Sequence, residues 1–179
     1  MTIHSPFVLW FTGLSASGKT TISQAVCKYL LSHDIRRIEV FDGDVIRTNL
    51  SKGLGFSKED RDTNILRVGW VAQRLFNHDV SSIISVISPY ANIRNQVRTS
   101  IGKGFIEVYV STSLEECEKR DPKGLYQQAR AGLIKGFTGI DDPYESPINP
   151  ELNIDTSKLS VEACTDKIFT YLSQNNYIK

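Results

Sequence analysis

Cysteine and histidine are scarce and scattered in this chain. Its three cysteines, Cys27, Cys117 and Cys164, form no C-x-x-C pair, and its three histidines, His4, His33 and His78, are equally dispersed, two of them near predicted helix ends. That spacing argues against a zinc site or a disulfide framework and suits reduced thiols buried in a cytoplasmic protein. Excess charge of either sign is also missing. The formal net charge is +1, so no global basic field of the kind nucleic-acid binders use is present, and any anion recognition must be local. No apolar run approaches the roughly 20 residues that span a bilayer, and the amino terminus lacks a charged segment followed by a long apolar core. A soluble cytoplasmic chain with neither a nucleic-acid nor a membrane partner is expected. Internal repeats and low-complexity tracts are absent as well. With 179 residues and 40% hydrophobic content, the chain is long enough for one sizeable core and too short for two ordinary domains, which predicts a single domain over 1–179.

What the chain does contain is a regular alternation of strand and helix patterns. Phe7 to Thr12 reads as the first strand, and Lys19 to about Ser32 as a helix with Ile22, Val26 and Leu30 at helical spacing. Ile38 to Asp42 is a second strand. Ser57 then precedes a long helical pattern in which Ile65, Val68, Ala72 and Leu75 share a face, ending near His78. Ser81 to Ile87, with four β-branched residues, is the third strand, and Asn92 to about Ile101 is helical. Phe105 to Val110 is the fourth strand, and Ser113-Leu114-Glu115-Glu116 is a capping box opening another helix. Leu152 to Asp155 is a short fifth strand, and Val161 to Ser173 closes the chain as an amphipathic helix. Strands apolar on both sides of the pleat and separated by helices imply a mainly parallel five-stranded sheet covered on both faces, a three-layer α/β sandwich.

Directly behind the first strand, Gly13-Leu14-Ser15-Ala16-Ser17-Gly18-Lys19-Thr20 satisfies G-x-x-x-x-G-K-[ST] at every fixed position. Strand, glycine-rich loop and helix start follow one another as a phosphate-binding loop requires, with successive backbone N–H groups and the positive helix end facing the phosphates. Lys19 would reach the β and γ phosphates of ATP, and the Thr20 hydroxyl would coordinate Mg²⁺. In such sheets ligands gather at the carboxyl ends of the strands, so residues just past Thr12, Asp42, Ile87 and Val110 should share one crevice. After the second strand come Asp42-Gly43-Asp44 and Arg47. Two carboxylates at a strand exit can hold a magnesium-bound water and accept a proton from an attacking hydroxyl; an ordinary Asp-Gly turn is the plainer reading of the same residues. No acid follows the third strand, so Asp44, with Thr20, is expected to serve the metal as well. Spacing alone does not divide the work between Asp42 and Asp44. Further on, Arg47, Phe56, Arg61 and Asn64 offer two anion forks, a stacking ring and an amide, as a second nucleotide-like ligand with its own anionic group would need. Read alone, Phe56 fits a core equally well and the arginines a solvated helix face. The stretch from about 121 to 145 decides between them. It is basic, glycine-rich and punctuated by an aromatic, as a mobile lid over phosphates should be.

Taken together, the phosphate loop, the D-G-D with its following arginine, the L-G-F-S-x-x-D-R-x-x-N run at 54–64, the I-S-P at 87–89, and above all R-D-P-K-G-L-Y at 120–126 with I-K-G-F-T-G-I-D-D-P-Y-E at 134–145 resemble the adenylylsulfate kinase family. The resemblance runs from about Phe7 to the closing helix. It implies a P-loop NTPase-type sandwich with a helical lid, commonly a homodimer, that phosphorylates the 3′-hydroxyl of adenosine 5′-phosphosulfate with Mg-ATP in sulfate assimilation. It assigns Gly13 and Ser15 to Ile22, that is Ser15, Ala16, Ser17, Gly18, Lys19, Thr20, Thr21 and Ile22, to ATP, with Arg120 stacking on the adenine. It assigns Asp42, Asp44, Val45, Ile46, Arg47, Phe56, Arg61, Asp62, Thr63, Asn64, Ile87, Ser88, Lys123, Lys135, Gly136 and Phe137 to adenylylsulfate. Lys19, Asp42 and Asp44 fall at the catalytic centre. Ser88 matches the serine the family assigns as a phosphoserine intermediate, although direct in-line transfer between two bound nucleotides needs only positioning and charge neutralisation. The chain departs from the common family pattern at Val45, where many members have asparagine, at Leu133, which replaces an acidic residue, and at Ala91, where many have arginine. Other small-molecule P-loop kinases, and a nucleotide-binding regulatory protein without turnover, are the rival readings.

Overall fold

In a computed structural model that describes residues 5–178, the elements follow in the order β1 (Val8–Thr12), α1 (Lys19–Ser32), β2 (Ile38–Asp42), α2 (Gly43–Thr48), α3 (Lys58–Phe76), β3 (Ser81–Ser85), α4 (Ala91–Ile101), β4 (Phe105–Val110), α5 (Leu114–Arg120), α6 (Leu125–Arg130), β5 (Leu152–Ile154) and α7 (Val161–Gln174). The five strands form one sheet in the order β2-β3-β1-β4-β5, and every pairing is parallel. His4 lies outside the described residues, while His33 and His78 fall just past the C-terminal ends of α1 and α3 as expected.

β1 is the central strand, and each of its residues is buried. Its side chains alternate between two cores. Leu9 and Phe11, with Phe7 just before the strand, meet Ile22, Val26 and Leu30 of α1 and Cys164, Ile168 and Leu172 of α7. Val8 and Trp10 meet Ile65, Val68 and Ala72 of α3 and Ile93, Val97 and Ile101 of α4. A strand apolar on both faces therefore has a helical layer on each side, which is why it reads as an unbroken hydrophobic run. On the second face α3 and α4 approach closely at Gly69, where a Cβ would lie 2.6 Å from Val97 Cγ2. Cys117 and Cys164 are buried and Cys27 half-buried, all unpaired.

Two boundaries differ from the expectation in ways that matter for the site. β3 stops at Ser85, not Ile87. Val86 N still donates to Phe11 O, but the Ile87 carbonyl is taken by the Thr12 hydroxyl (2.7 Å) and Ser88 has φ 43°, so the chain leaves the ladder and turns across the strand ends. Secondly, the Asp42-Gly43-Asp44 segment does not form an open turn. Asp42 is the N-cap of the short helix α2, its carboxylate accepting from Asp44 N, a role that aspartate fills well.

Candidate active site

The phosphate loop has the backbone that its glycines permit. Gly13 has φ 152°, and a Cβ there would lie 2.6 Å from the Val110 carbonyl, so the loop can approach β4 only without a side chain. Gly18 (φ 101°) opens α1 without a side-chain cap, leaving the first N–H groups of the helix turned toward the crevice. Ile22, assigned to the nucleotide from the family pattern, has its side chain in the core, so only its backbone belongs to the loop; Thr21 is exposed. Two threonines brace the loop from below. Thr112 and Thr156 both donate to Ser17 O, at 3.1 and 2.8 Å. Thr156 also accepts from Arg120 Nη1 at 2.7 Å, and its carbonyl accepts from Nη2, which fixes the guanidinium plane beside the loop.

Lys19 is buried, and its ammonium donates to Leu14 O (2.6 Å), Gly13 O (3.0 Å) and Ser17 Oγ (3.4 Å). Burial nevertheless dominates and lowers its pKa to about 8, while Cys117 and Asp42 pull it back up. The side chain therefore folds back onto the loop and stands ready to exchange carbonyl partners for phosphate oxygens.

The first carboxylate is joined directly to this loop. Thr20 Oγ1 donates to Asp42 Oδ2 at 2.7 Å, so one Asp42 oxygen faces the nucleotide side while the other caps α2. Asp44, expected to share a metal with Thr20, is placed differently: it is exposed and ion-paired with Lys123 of the lid. Hard oxygen donors at the mouth of a phosphate loop fit Mg²⁺, which takes one or two protein oxygens and completes its shell with phosphates and water. No group of three or more His, Cys, Asp or Glu side chains among the described residues could hold an ion by itself.

The second half of the site is organised by Arg61. Its guanidinium is buried and donates to Phe56 O (2.8 Å), Thr138 Oγ1 (2.6 Å) and Gly136 O (2.5 Å), so one side chain ties the loop before α3 to the lid. The Phe56 ring is exposed, and Arg47 lies over it at 4.9 Å and Arg61 at 5.8 Å. Phe56 is therefore not core. On the facing side, the Phe137 ring meets Tyr126 edge-on at 5.0 Å, and Tyr126 OH donates to Ser15 O of the phosphate loop at 3.0 Å. Asn64 is buried with its Oδ1 unpartnered, and the half-buried Asp62 has an Oδ1 in the same condition. An unpaired buried acceptor is costly unless a ligand donates to it. Ile46 is buried, so only its backbone could serve a ligand; Val45 is exposed beside it.

Three expected residues are not gathered into this constellation. Thr63 lies on the outer side of α3, lining a separate groove with Leu66 and Trp70. Lys135 is exposed at the lid surface beside Asp141. Ser88 is buried, its Oγ accepting from Trp10 Nε1 at 3.1 Å, so that hydroxyl belongs to the core contact beneath the strand ends. Conversely, Thr112, Thr156, Tyr126, Tyr90 and Asp142 have no role assigned from the sequence, although Tyr126 and Asp142 fall within the motifs at 120–126 and 134–145. Thr112 and Thr156 each lie within two residues of a strand's carboxyl end, where the strand-end rule could have found them. Tyr90 OH donates to both Asp142 oxygens, at 2.9 and 3.0 Å, which anchors the lid's return.

The adenylylsulphate kinase family model matches residues 5–155. An adenylyl-sulfate kinase from Picosynechococcus sp. is 53% identical over 175 residues, 98% of each chain. One from Lactiplantibacillus plantarum is 49% identical, over 98% of this chain and 84% of its own. Among solved structures, the Mycobacterium tuberculosis APS kinase in complex with AMPPNP and APS is 40% identical, with a TM-score of 0.89 over 96% of this chain and 99% of that one. A gluconokinase from Sinorhizobium meliloti shares the fold alone, at 16% identity and a TM-score of 0.62 over 97% of this chain and 95% of its own. With a phosphate loop tied through Tyr126 to the 121–145 segment, with Arg61 joining that segment to the Phe56 loop, and with a family model over residues 5–155 and relatives over at least 96% of its length, the chain belongs to the adenylylsulfate kinase family.

Proposed function

We propose that this chain transfers the γ-phosphoryl group of ATP to the 3′-hydroxyl of adenosine 5′-phosphosulfate, giving 3′-phosphoadenosine 5′-phosphosulfate and ADP, as a cytoplasmic enzyme of sulfate assimilation. The observation that carries the reading is Arg61, which brings the Phe56 loop and the Gly136-Phe137 lid into one contact beside the phosphate loop. Two exposed or half-buried rings with two arginines suit a purine carrying an anionic tail. A sugar acid would leave those rings without a partner.

Donor and acceptor have separate residues. The loop from Gly13 to Thr20 holds the triphosphate with backbone N–H groups and Lys19, and Arg120 presents its plane to the donor base. Phe56 and Phe137 enclose the acceptor purine, Asn64 accepts a hydrogen bond from it, and Arg47 with Lys123 takes the phosphosulfate end. The new bond joins the acceptor's 3′-oxygen to the γ-phosphorus while the bond from that phosphorus to the β,γ-bridging oxygen breaks. The hydroxyl proton passes to the Asp42 and Asp44 pair. Thr20 and Asp42 would hold Mg²⁺, whose contribution when bound is to neutralise charge on the β and γ phosphates. Residues 121–145 act as the lid of a single kinase unit, and two copies pair as a homodimer.

An assay coupled to ADP release tests this reading. Turnover is expected with adenylylsulfate; turnover with gluconate, shikimate or AMP but none with adenylylsulfate would overturn it. In the same assay Ser88→Ala should retain activity within about threefold, because the Ser88 hydroxyl is committed to Trp10 and direct transfer has no use for it. Loss of all turnover in a folded Ser88→Ala enzyme would instead favour a phosphoserine intermediate.

A further inference from the structure

Ala16 stands in a conformation that alanine does not favour. Its φ is 58°, in the left-handed region, and Ser17 N donates to Leu14 O at 3.3 Å, closing a four-residue turn with Ala16 at the third position. A positive φ at that position is ordinarily glycine's, because the Cβ of an L-residue crowds the following carbonyl there. With a negative φ the same turn closes as well, and its central peptide, which carries Ser15 O and Ala16 N, is then reversed. Local preference therefore pulls the Ser15–Ala16 peptide away from the orientation it has.

What opposes that pull lies past α5. Tyr126, in the first turn of α6, is buried, and its hydroxyl donates to Ser15 O at 3.0 Å. The tyrosine is itself held at both ends. Asp121 accepts from Tyr126 N (3.1 Å) and Gln127 N (3.0 Å), which fixes the start of α6, and the Phe137 ring packs edge-on against the phenol at 5.0 Å. The two ends of a planar trans peptide point in opposite directions, so keeping Ser15 O on the Tyr126 side turns the Ala16 N–H the other way. That N–H makes no hydrogen bond among the described residues. A reversed peptide would exchange the two and present a carbonyl oxygen where an anion-binding loop needs a donor. We propose that Tyr126 is a positioning residue for phosphoryl transfer: its hydroxyl holds the left-handed Ser15–Ala16 turn so that the Ala16 N–H stays turned to the triphosphate. The inference rests on the donor reading of this loop given above and adds a residue to it. It also makes the donor cradle depend on a docked 121–145 segment, since the hydroxyl reaches Ser15 only from α6.

Calorimetric titration of the full chain with Mg²⁺ and a non-hydrolysable ATP analogue tests it. Tyr126→Phe removes the hydroxyl and keeps the ring against Phe137, and it should weaken the analogue by roughly tenfold, as loss of one buried hydrogen bond does. In an Ala16→Gly background the same change should cost less than about threefold, because glycine keeps the left-handed turn without a tether. Glycine adds no contact, so a smaller loss there reports the backbone and not the packing around the phenol. Equal losses in the two backgrounds overturn the proposal, as does wild-type affinity in Tyr126→Phe. A second measurement leaves Tyr126 in place: the analogue should slow hydrogen exchange at the Ala16 amide of the wild type, and an amide that exchanges equally fast with and without it overturns the proposal too. A wild type that binds no analogue overturns the donor reading instead, and turnover with adenylylsulfate is scored separately by ADP release.

Discussion

Lys19 combines two requirements that oppose one another. Its ammonium must be held near the phosphates before they arrive, which needs burial and carbonyl partners, yet burial disfavours the charge that makes it useful. The outcome is a pKa lowered from 10.5 to about 8. In the ligand-free fold the group therefore binds fewer protons than in the unfolded chain across that interval, so its cost to folding is present in full below pH 8 and fades as pH rises toward 10.5. A bound triphosphate reverses the balance, because its charge favours the protonated amine. Nucleotide affinity should then decline as pH rises above about 8, each molecule bound drawing in a proton. Calorimetry with a non-hydrolysable ATP analogue and Mg²⁺, in two buffers of different ionisation enthalpy at about pH 8.5, should show uptake of roughly three-quarters of a proton per site. Lys19→Met should abolish that uptake. An uptake near zero in the wild type would mean that Lys19 is already charged without ligand, against the burial argument.

At the scale of elements, the lid is an irregular stretch kept in place by a few side chains. Past α6, its amides at Gly136 and Phe137 donate to the Asp141 carboxylate, which holds that carboxyl below its usual range, and Gly139 N donates to Asp142 O. Asp142 itself is anchored by Tyr90, whose hydroxyl pKa is pushed up to about 12 by burial and by this bond. Removing a donor to a carboxylate costs about 1.5–3 kcal/mol, which corresponds to an opening equilibrium raised by at least roughly tenfold. Tyr90→Phe should therefore speed hydrogen exchange at the Gly136, Phe137 and Gly139 amides by that factor, with the amides of β1 unchanged; equal exchange in the two proteins would show that the anchor is not Tyr90. The lid also shows where sequence and structure part company. Its composition and its motif were readable because glycines and basic residues have local causes. Its docking was not, since the bonds from Arg61 to Gly136 and Thr138 join positions more than 70 apart in sequence. The same holds for α2. Asp-Gly usually signals a turn, and the helix that follows Asp42 rests on a cap and on burial of Ile46 that local spacing does not announce.

For the molecule as a whole, alternating patterns determined that the sheet is parallel and covered on both faces, but not the order of its strands. That order depends on which edges meet, and it is secured at one end by a charged network. Arg94 and Glu107 are both buried and bonded at 2.9 Å, and Arg94 also donates to Ser88 O (2.6 Å) and Glu145 O (2.5 Å). Arg98 bridges Glu107 and Glu151, and Glu151 accepts from Glu107 N at 2.7 Å. Glu107 on β4 thus joins α4 to the approach of β5, and through Arg94 to the turn after β3 and the end of the lid. No local rule reveals such a hub, because a glutamate inside a strand reads as an interruption of the apolar run. A buried pair is weak evidence for net stability, yet breaking one strands the partner's charge at a cost of about 3–5 kcal/mol. Glu107→Gln keeps the shape and removes the charge that both arginines face. It should lower the melting temperature by roughly 6–20 °C, at about 2–4 °C per kcal/mol for a chain of this size. Glu107→Leu with Arg94→Met, which removes both charges, should recover a large part of that loss. If the double variant is no more stable than Glu107→Gln, the stranded charge on Arg94 is not the source of the cost, and the hub contributes through its hydrogen bonds to Ser88 and Glu145 instead.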